Sequence, residues 1–156
     1  MGTEGLRAVF PGLRALHADP DDIGAREQTL YGAYLAAVAL ASAGSGMHHK
    51  ICHALGGTYN MPHAETHSVV ISYVTAFNAP YAADAAERVA AAAGIHALRR
   101  EVRAPMSLKE LGFKEEAVSE AAGIILPAIP PSDPRPVTRA ALDALLRTAW
   151  AGDPIE

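Results

Sequence analysis

The chain is poor in several things at once, and each shortage closes off a class of protein. Of its 156 residues one is cysteine, one is tryptophan and three are phenylalanine, and aromatics make up 6%. A lone Cys52 excludes an internal disulfide, and with no basic segment and cleavage site opening the sequence, a reducing cytoplasm is the expected location. Charged residues amount to 19% with a net charge of -4, and the largest basic cluster is Arg99, Arg100 and Arg103. That footprint is too small for nucleic acid. The longest apolar stretch, around Tyr34 to Ala43, falls well short of the roughly 18 residues that span a bilayer, so no membrane partner is expected. Glycine occurs 13 times, yet Gly44-Ser-Gly46 lacks the preceding strand and further glycine of a dinucleotide fingerprint, and Gly56-Gly57 follows a helical pattern. No segment alternates with the period of two that a half-buried strand requires.

What remains is helical periodicity, and the expected fold is an all-α bundle forming a single domain over residues 1–156. Glu4 to His17 carries apolar residues at spacings of three and four, with Pro11 as a break or kink. Aspartates at 19, 21 and 22 offer N-caps to a long helix from Asp22 to Ala43. There Leu30, Tyr34, Ala37 and Ala41 share a face, and the run of small residues Ala36 to Ala43 invites close packing of another helix. Further helices are expected over Met47 to Leu55, stopped by Gly56 and Gly57, over His63 to Asn78 after Pro62, and over Asp84 to Ala93. Ser107-Leu-Lys-Glu110 reads as a capping box opening a short helix, Glu115 to Gly123 as another, and Thr138 to Ala151 as the last. The proline-rich segment 125–136 between them should be an extended connector.

Against this background the stretch from Gly46 to His67 stands out, because it holds five of the seven histidines. His49 and His53 are four apart, which places both on one helix face, and His63 and His67 repeat that spacing on the next predicted helix. Two such pairs on neighbouring helices suit a divalent transition metal or acid/base chemistry near neutral pH. Glu65 is the nearest carboxylate. Cys52 reads as a small core residue, since neighbours in a helix point about 100 degrees apart and it does not face His53. His48 and Lys50 are candidate anion contacts. His17 and His96, isolated in the sequence, read as ordinary helix residues.

The pattern His49-x-x-x-His53-x-x-Gly56 followed by Pro62-His63 resembles the signature of the iron-containing, group III alcohol dehydrogenase family. More narrowly, HHKICHALGG, NMPHAETH and Phe77-Asn-Ala-Pro80 resemble its maleylacetate reductase branch, and the similarity extends over most of the chain. The resemblance implies a two-domain enzyme, an α/β domain binding NAD(P)H followed by a helical domain supplying the metal and substrate pocket. This chain would correspond to part of the helical domain, with NAD(P)H bound only through a nucleotide-binding partner chain. Two of four metal ligands are implied at His49 and His63, an incomplete set for Fe2+ or Zn2+, the other two being expected on an early helix before residue 1. His53 matches the histidine beside the substrate that takes part in proton transfer. His48, Lys50 and His67 add basic character suited to a small carboxylated substrate.

Three functions are therefore expected in competition. The first is the helical half of an NAD(P)H-dependent oxidoreductase acting on a small oxo-dicarboxylate. The second is a free-standing lyase, isomerase or hydrolase that reuses the histidine pocket, and the third is a non-catalytic oligomerising domain. Apolar surface left bare by the absent helix predicts a homo-oligomer.

Overall fold

The computed structural model describes residues 1–92 and 94–155. Among them no strand occurs, and eight α-helices follow in order: α1 (Gly2–Ala18), α2 (Ile23–Ala43), α3 (Met47–Tyr59), α4 (His63–Asn78), α5 (Ala83–Ala92), α6 (Ile95–Glu101), α7 (Val118–Ile125) and α8 (Arg139–Ala151). The chain divides into two compact units, one of residues 1–44 and 84–103, the other of 45–83 and 104–156.

The first unit is built on the α1–α2 pair. The Asp22 carboxylate caps α2 by accepting from the Ala25 N–H at 3.1 Å, satisfying one of the donors that a helix start leaves open. The two helices meet at glycines: a Cβ on Gly32 would stand 2.7 Å from both the Gly5 carbonyl oxygen and the Val9 nitrogen. Backbone therefore packs on backbone. The face that α2 buries carries Ala25 and Gly32, while Leu30 and Tyr34, aligned in the sequence as a common face, are 70% and 66% exposed. α1 runs unbroken through Pro11. The hydrogen bond that proline removes would have gone to Arg7, which is exposed along with Pro11, so water can take the freed carbonyl while Ala8 and Phe10 stay buried. The sequence pattern did not predict α6; it buries Leu98, and Arg14 of α1 pairs with its Glu101. The expected end of the preceding helix at Ala93 lies outside the described residues.

The second unit has a continuous apolar core drawn from α3, α4, α7 and α8, with Ile51, Leu55, Val69, Val70, Val118, Ile125, Leu142 and Leu146 all fully buried. α3 passes through Gly56 and Gly57 and ends two residues later. Neither glycine adopts the left-handed conformation that stops a helix; Asn60 does, with φ 53, and the Met61 N–H then closes back on the Leu55 carbonyl at 3.3 Å. Half of the expected capping box forms, the Glu110 N–H donating to Ser107 Oγ at 3.2 Å, while Glu110 Oε2 accepts from the Met106 N–H at 3.1 Å instead of from that of Ser107. The segment closes a turn rather than opening a helix: Gly112 takes a left-handed φ of 88, and the Phe113 N–H returns to the Leu108 carbonyl at 3.0 Å. α7 starts after a 3-10 turn at Glu115–Ala117 and is followed by a second at Leu126–Ala128, so the proline-rich connector begins helically and is not extended throughout. Thr138 caps α8, its Oγ1 accepting from the Ala141 N–H at 3.2 Å. Among the described residues no single helix is long and apolar enough to cross a membrane.

Candidate functional site

All five histidines of the stretch from Gly46 to His67 lie in the second unit, on α3 and α4. The start of α3 lacks a capping side chain of its own, since Gly46 stands at the N-cap position. Asp133, from the proline-rich connector, supplies the cap, its Oδ1 accepting from the Met47 N–H at 3.2 Å. This long-range contact orders the turn that carries His48 and His49. α4 opens at His63, behind Pro62, whose carbonyl accepts from both the N–H and the hydroxyl of Thr66, at 3.0 and 2.6 Å. His67 follows one turn on.

The helical spacing does bring the imidazoles together, with His67 at the hub. Its ring centroid is 4.4 Å from that of His63, 4.8 Å from His48, 5.0 Å from His49 and 6.4 Å from His53. His53 in turn lies 5.9 Å from His49 and stacks on His63 at 6.1 Å with 21° between the planes. The cluster has an inside and an outside. His53 and His63 are exposed, His48, His49, Lys50 and His67 are half-buried, and Cys52 is fully buried. Glu65 is exposed in the first turn of α4.

Burial governs the protonation of the inner rings. It lowers the pKa of His48 to about 4, a hydrogen bond to the His67 carbonyl opposing the shift and His49 adding to it. It lowers that of His67 to about 4 as well, helped by repulsion from the four other imidazoles. His49 is lowered by burial and then by His53, His63 and Lys50. At pH 7 these rings are neutral, so each offers a lone pair and one N–H. An anion at His67 would be met by a hydrogen bond rather than by charge.

The ring nitrogen His48 Nε2 lies 3.3 Å from the His67 carbonyl oxygen. A carbonyl can only accept, so Nε2 carries the proton and Nδ1 the lone pair. His67 Nε2 is shielded from solvent and has no hydrogen-bond partner. His67 thus offers a neutral imidazole with an unsatisfied buried nitrogen, a donor that fits a transition metal. A further grouping was not anticipated from the sequence: one ring nitrogen each of His48 and His67 and Sγ of Cys52 all lie within 4.8 Å of one another. The signal for it was present in the spacing, because His48 and Cys52 are also four apart, on the strip of α3 next to that of His49 and His53. Burial pushes the Cys52 thiol up to about 12. The capping role of Asp133, 86 residues along the chain from Met47, had no sequence signal.

Residues 1–150 match the model of the Fe-containing alcohol dehydrogenase family, C-terminal. The chain is 39% identical to the maleylacetate reductase of Burkholderia cepacia over 97% of its own length and 45% of that protein. To maleylacetate reductase 1 of Cupriavidus pinatubonensis it is 40% identical, with the same coverage of 97% and 45%. Among solved structures it is similar to an iron-containing alcohol dehydrogenase from Corynebacterium glutamicum, with a TM-score of 0.94 at 49% identity, covering 97% of this chain and 45% of that one. It is also similar to maleylacetate reductase from a Rhizobium species, with a TM-score of 0.91 at 38% identity and coverage of 96% and 44%. The chain thus spans about half the length of the curated relatives it matches.

Proposed function

Since this chain belongs to the C-terminal domain of the Fe-containing alcohol dehydrogenase family, with relatives that are maleylacetate reductases, we propose that it forms the substrate and metal pocket of an NAD(P)H-dependent reductase acting on a small oxo-dicarboxylate. The observation that carries the reading is the convergence of His49, His53 and His63 around His67 at the facing ends of α3 and α4. The nucleotide-binding half of the enzyme would come from a partner chain or from further residues of a longer polypeptide, because hydride transfer needs the nicotinamide held against the acceptor carbon.

His49 and His63 are the residues of this chain that would hold iron or zinc, which when bound polarises a substrate oxygen as a Lewis acid. The remaining roles belong to side chains alone. Hydride delivery leaves the substrate in need of a proton. His53 is exposed and stacked on His63, which places its ring at the mouth of the cluster with solvent as its proton reservoir. Lys50 supplies positive charge on the same helix, while a neutral N–H of His67 orients a carboxylate by hydrogen bonding; the His48 N–H is already given to the His67 carbonyl, which holds that ring in place.

The test is the loss of nicotinamide absorbance with maleylacetate as acceptor. This chain alone should be silent, and addition of the N-terminal nucleotide-binding half of a maleylacetate reductase should start oxidation of NADH. His53→Ala in the reconstituted pair should lower kcat by roughly 100-fold or more, the usual scale for a general acid. Stable association of the two halves without any oxidation would refute the assignment.

A further inference from the structure

The five histidines do not form one uniform cluster, because two adjacent strips of α3 face different surroundings. His49 and His53 occupy the outer strip. His48 and Cys52 occupy the inner strip, one turn apart, and His67 reaches them from α4. The inner three are the residues whose donor atoms mutually approach within 4.8 Å. A tetrahedral zinc with nitrogen ligands at about 2.0–2.1 Å and sulfur at about 2.3 Å separates its donors by roughly 3.3–3.6 Å. Side-chain torsions alone can close that gap, since His48 and Cys52 sit on one rigid helix and His67 faces them.

We propose that His48, Cys52 and His67 form a binding site for a thiophilic divalent metal of the zinc class, distinct from the pair His49 and His63. Three observations support it independently of the reductase reading. One donor atom from each of the three residues lies within 4.8 Å of the other two. The His48 ring is fixed by its Nε2–H bond to the His67 carbonyl, which leaves Nδ1 as the ligand. A backbone carbonyl holding the far N–H of a ligating imidazole is the usual outer-shell arrangement of a metal site. His67 Nε2, buried and without a hydrogen-bond partner, gains through the metal the interaction that burial otherwise denies it.

The chemistry balances simply. On binding, the Cys52 S–H bond breaks, the sulfur lone pair forms the metal–sulfur bond, and one proton leaves to solvent for each ion taken up. No electron changes hands. Two imidazoles and one thiolate leave a net charge of +1 and a fourth position for water, the open arrangement of three protein ligands. The mix of nitrogen and sulfur selects zinc or cobalt over magnesium and calcium, which take oxygen ligands.

Cobalt(II) is the probe, because thiolate coordination gives it a near-ultraviolet charge-transfer band that nitrogen and oxygen ligands do not. The full chain titrated with Co2+ should develop that band, and excess Zn2+ should erase it. Cys52→Ser and His48→Gln should lose the band and weaken binding at least tenfold, while His63→Ala keeps it. Circular dichroism of the metal-free variants confirms that they fold. Zinc-edge X-ray absorption on the wild-type chain gives a second reading that needs no variant, with one sulfur near 2.3 Å and nitrogens at about 2.0–2.1 Å expected. Cobalt absorption without the charge-transfer band, a band that survives in Cys52→Ser, or a zinc shell without sulfur would each overturn the proposal.

Discussion

Replacing Asp133 by alanine should loosen the start of the histidine helix, because that helix is capped from a distance. Oδ1 of Asp133 accepts from the Met47 N–H at 3.2 Å, and Gly46 at the N-cap position has no side chain to replace it. Losing a capping acceptor costs about 1 kcal/mol, and losing a negative charge at a helix start adds roughly 0.3–1 kcal/mol. The other oxygen, Oδ2, is shielded without a partner, so its removal returns part of this, less than the ~1–3 kcal/mol of a fully orphaned group because Oδ1 shares the charge and is bonded. The net expectation is a loss of about 1 kcal/mol, read as a fall in Tm of roughly 2–4 °C for a chain of this size. Asp133→Asn keeps the acceptor and loses only the charge, so it should fall about half as far. Thermal melting by circular dichroism measures the magnitude, and amide hydrogen exchange localises it, the Met47 amide losing protection before the core amides of α4. An alanine variant that melts at or above the wild-type temperature, with Met47 still protected, would refute the reasoning.

Gly32→Ala should destabilise the first unit despite the better helix propensity of alanine, worth about 1 kcal/mol. The new Cβ would stand 2.5 Å from Val9 Cγ2 and 2.7 Å from backbone of α1, and overpacking of this kind costs roughly 1–3 kcal/mol; a chemical denaturation midpoint equal to wild type would contradict it. Acid should destabilise the metal-free chain. The folded-state pKa of His48 and of His67 is about 4 against 6.5 for the free side chain, so between those values the unfolded chain binds more protons. Stability is then complete above about pH 6.5 and falls as pH drops toward 4. Urea midpoints from pH 8 to 4 should show that slope, and His67→Gln should flatten it. Tyr73→Phe should release the C-terminal tail, whose Asp153 carbonyl accepts from the Tyr73 hydroxyl at 3.1 Å; faster proteolysis beyond Ala151 is the readout.

The helices were legible where local chemistry decides. Asp22 and Thr138 cap α2 and α8 as their positions in the sequence suggest, and the histidines at spacings of four meet as a helix requires. Legibility failed where a residue is free to do either of two things. Gly56 and Gly57 can end a helix or continue it, and α3 continues to Tyr59, whose ring packs against the core beyond them. Ser107 and Glu110 bond to each other in either a helix or a turn, and here the chain reverses at Gly112, with φ 88, before a second helical turn can form. Leu30 and Tyr34 align on one face of α2, yet the glycines choose the opposite one, since only there can two backbones touch.

By itself the sequence determined that the chain is helical, that it lacks the disulfide, nucleotide-loop and basic-patch chemistries, and that two pairs of imidazoles would share neighbouring helices. Those properties follow from periodicity and from side-chain inventory, which are local. Only the tertiary structure decided that His67 is the hub, that burial leaves the inner rings neutral, that Cys52 stands beside His48 and His67, and that Asp133 caps their helix. Desolvation and long-range hydrogen bonds depend on which surfaces are brought together, and residues 86 apart carry no record of their meeting until the chain has folded.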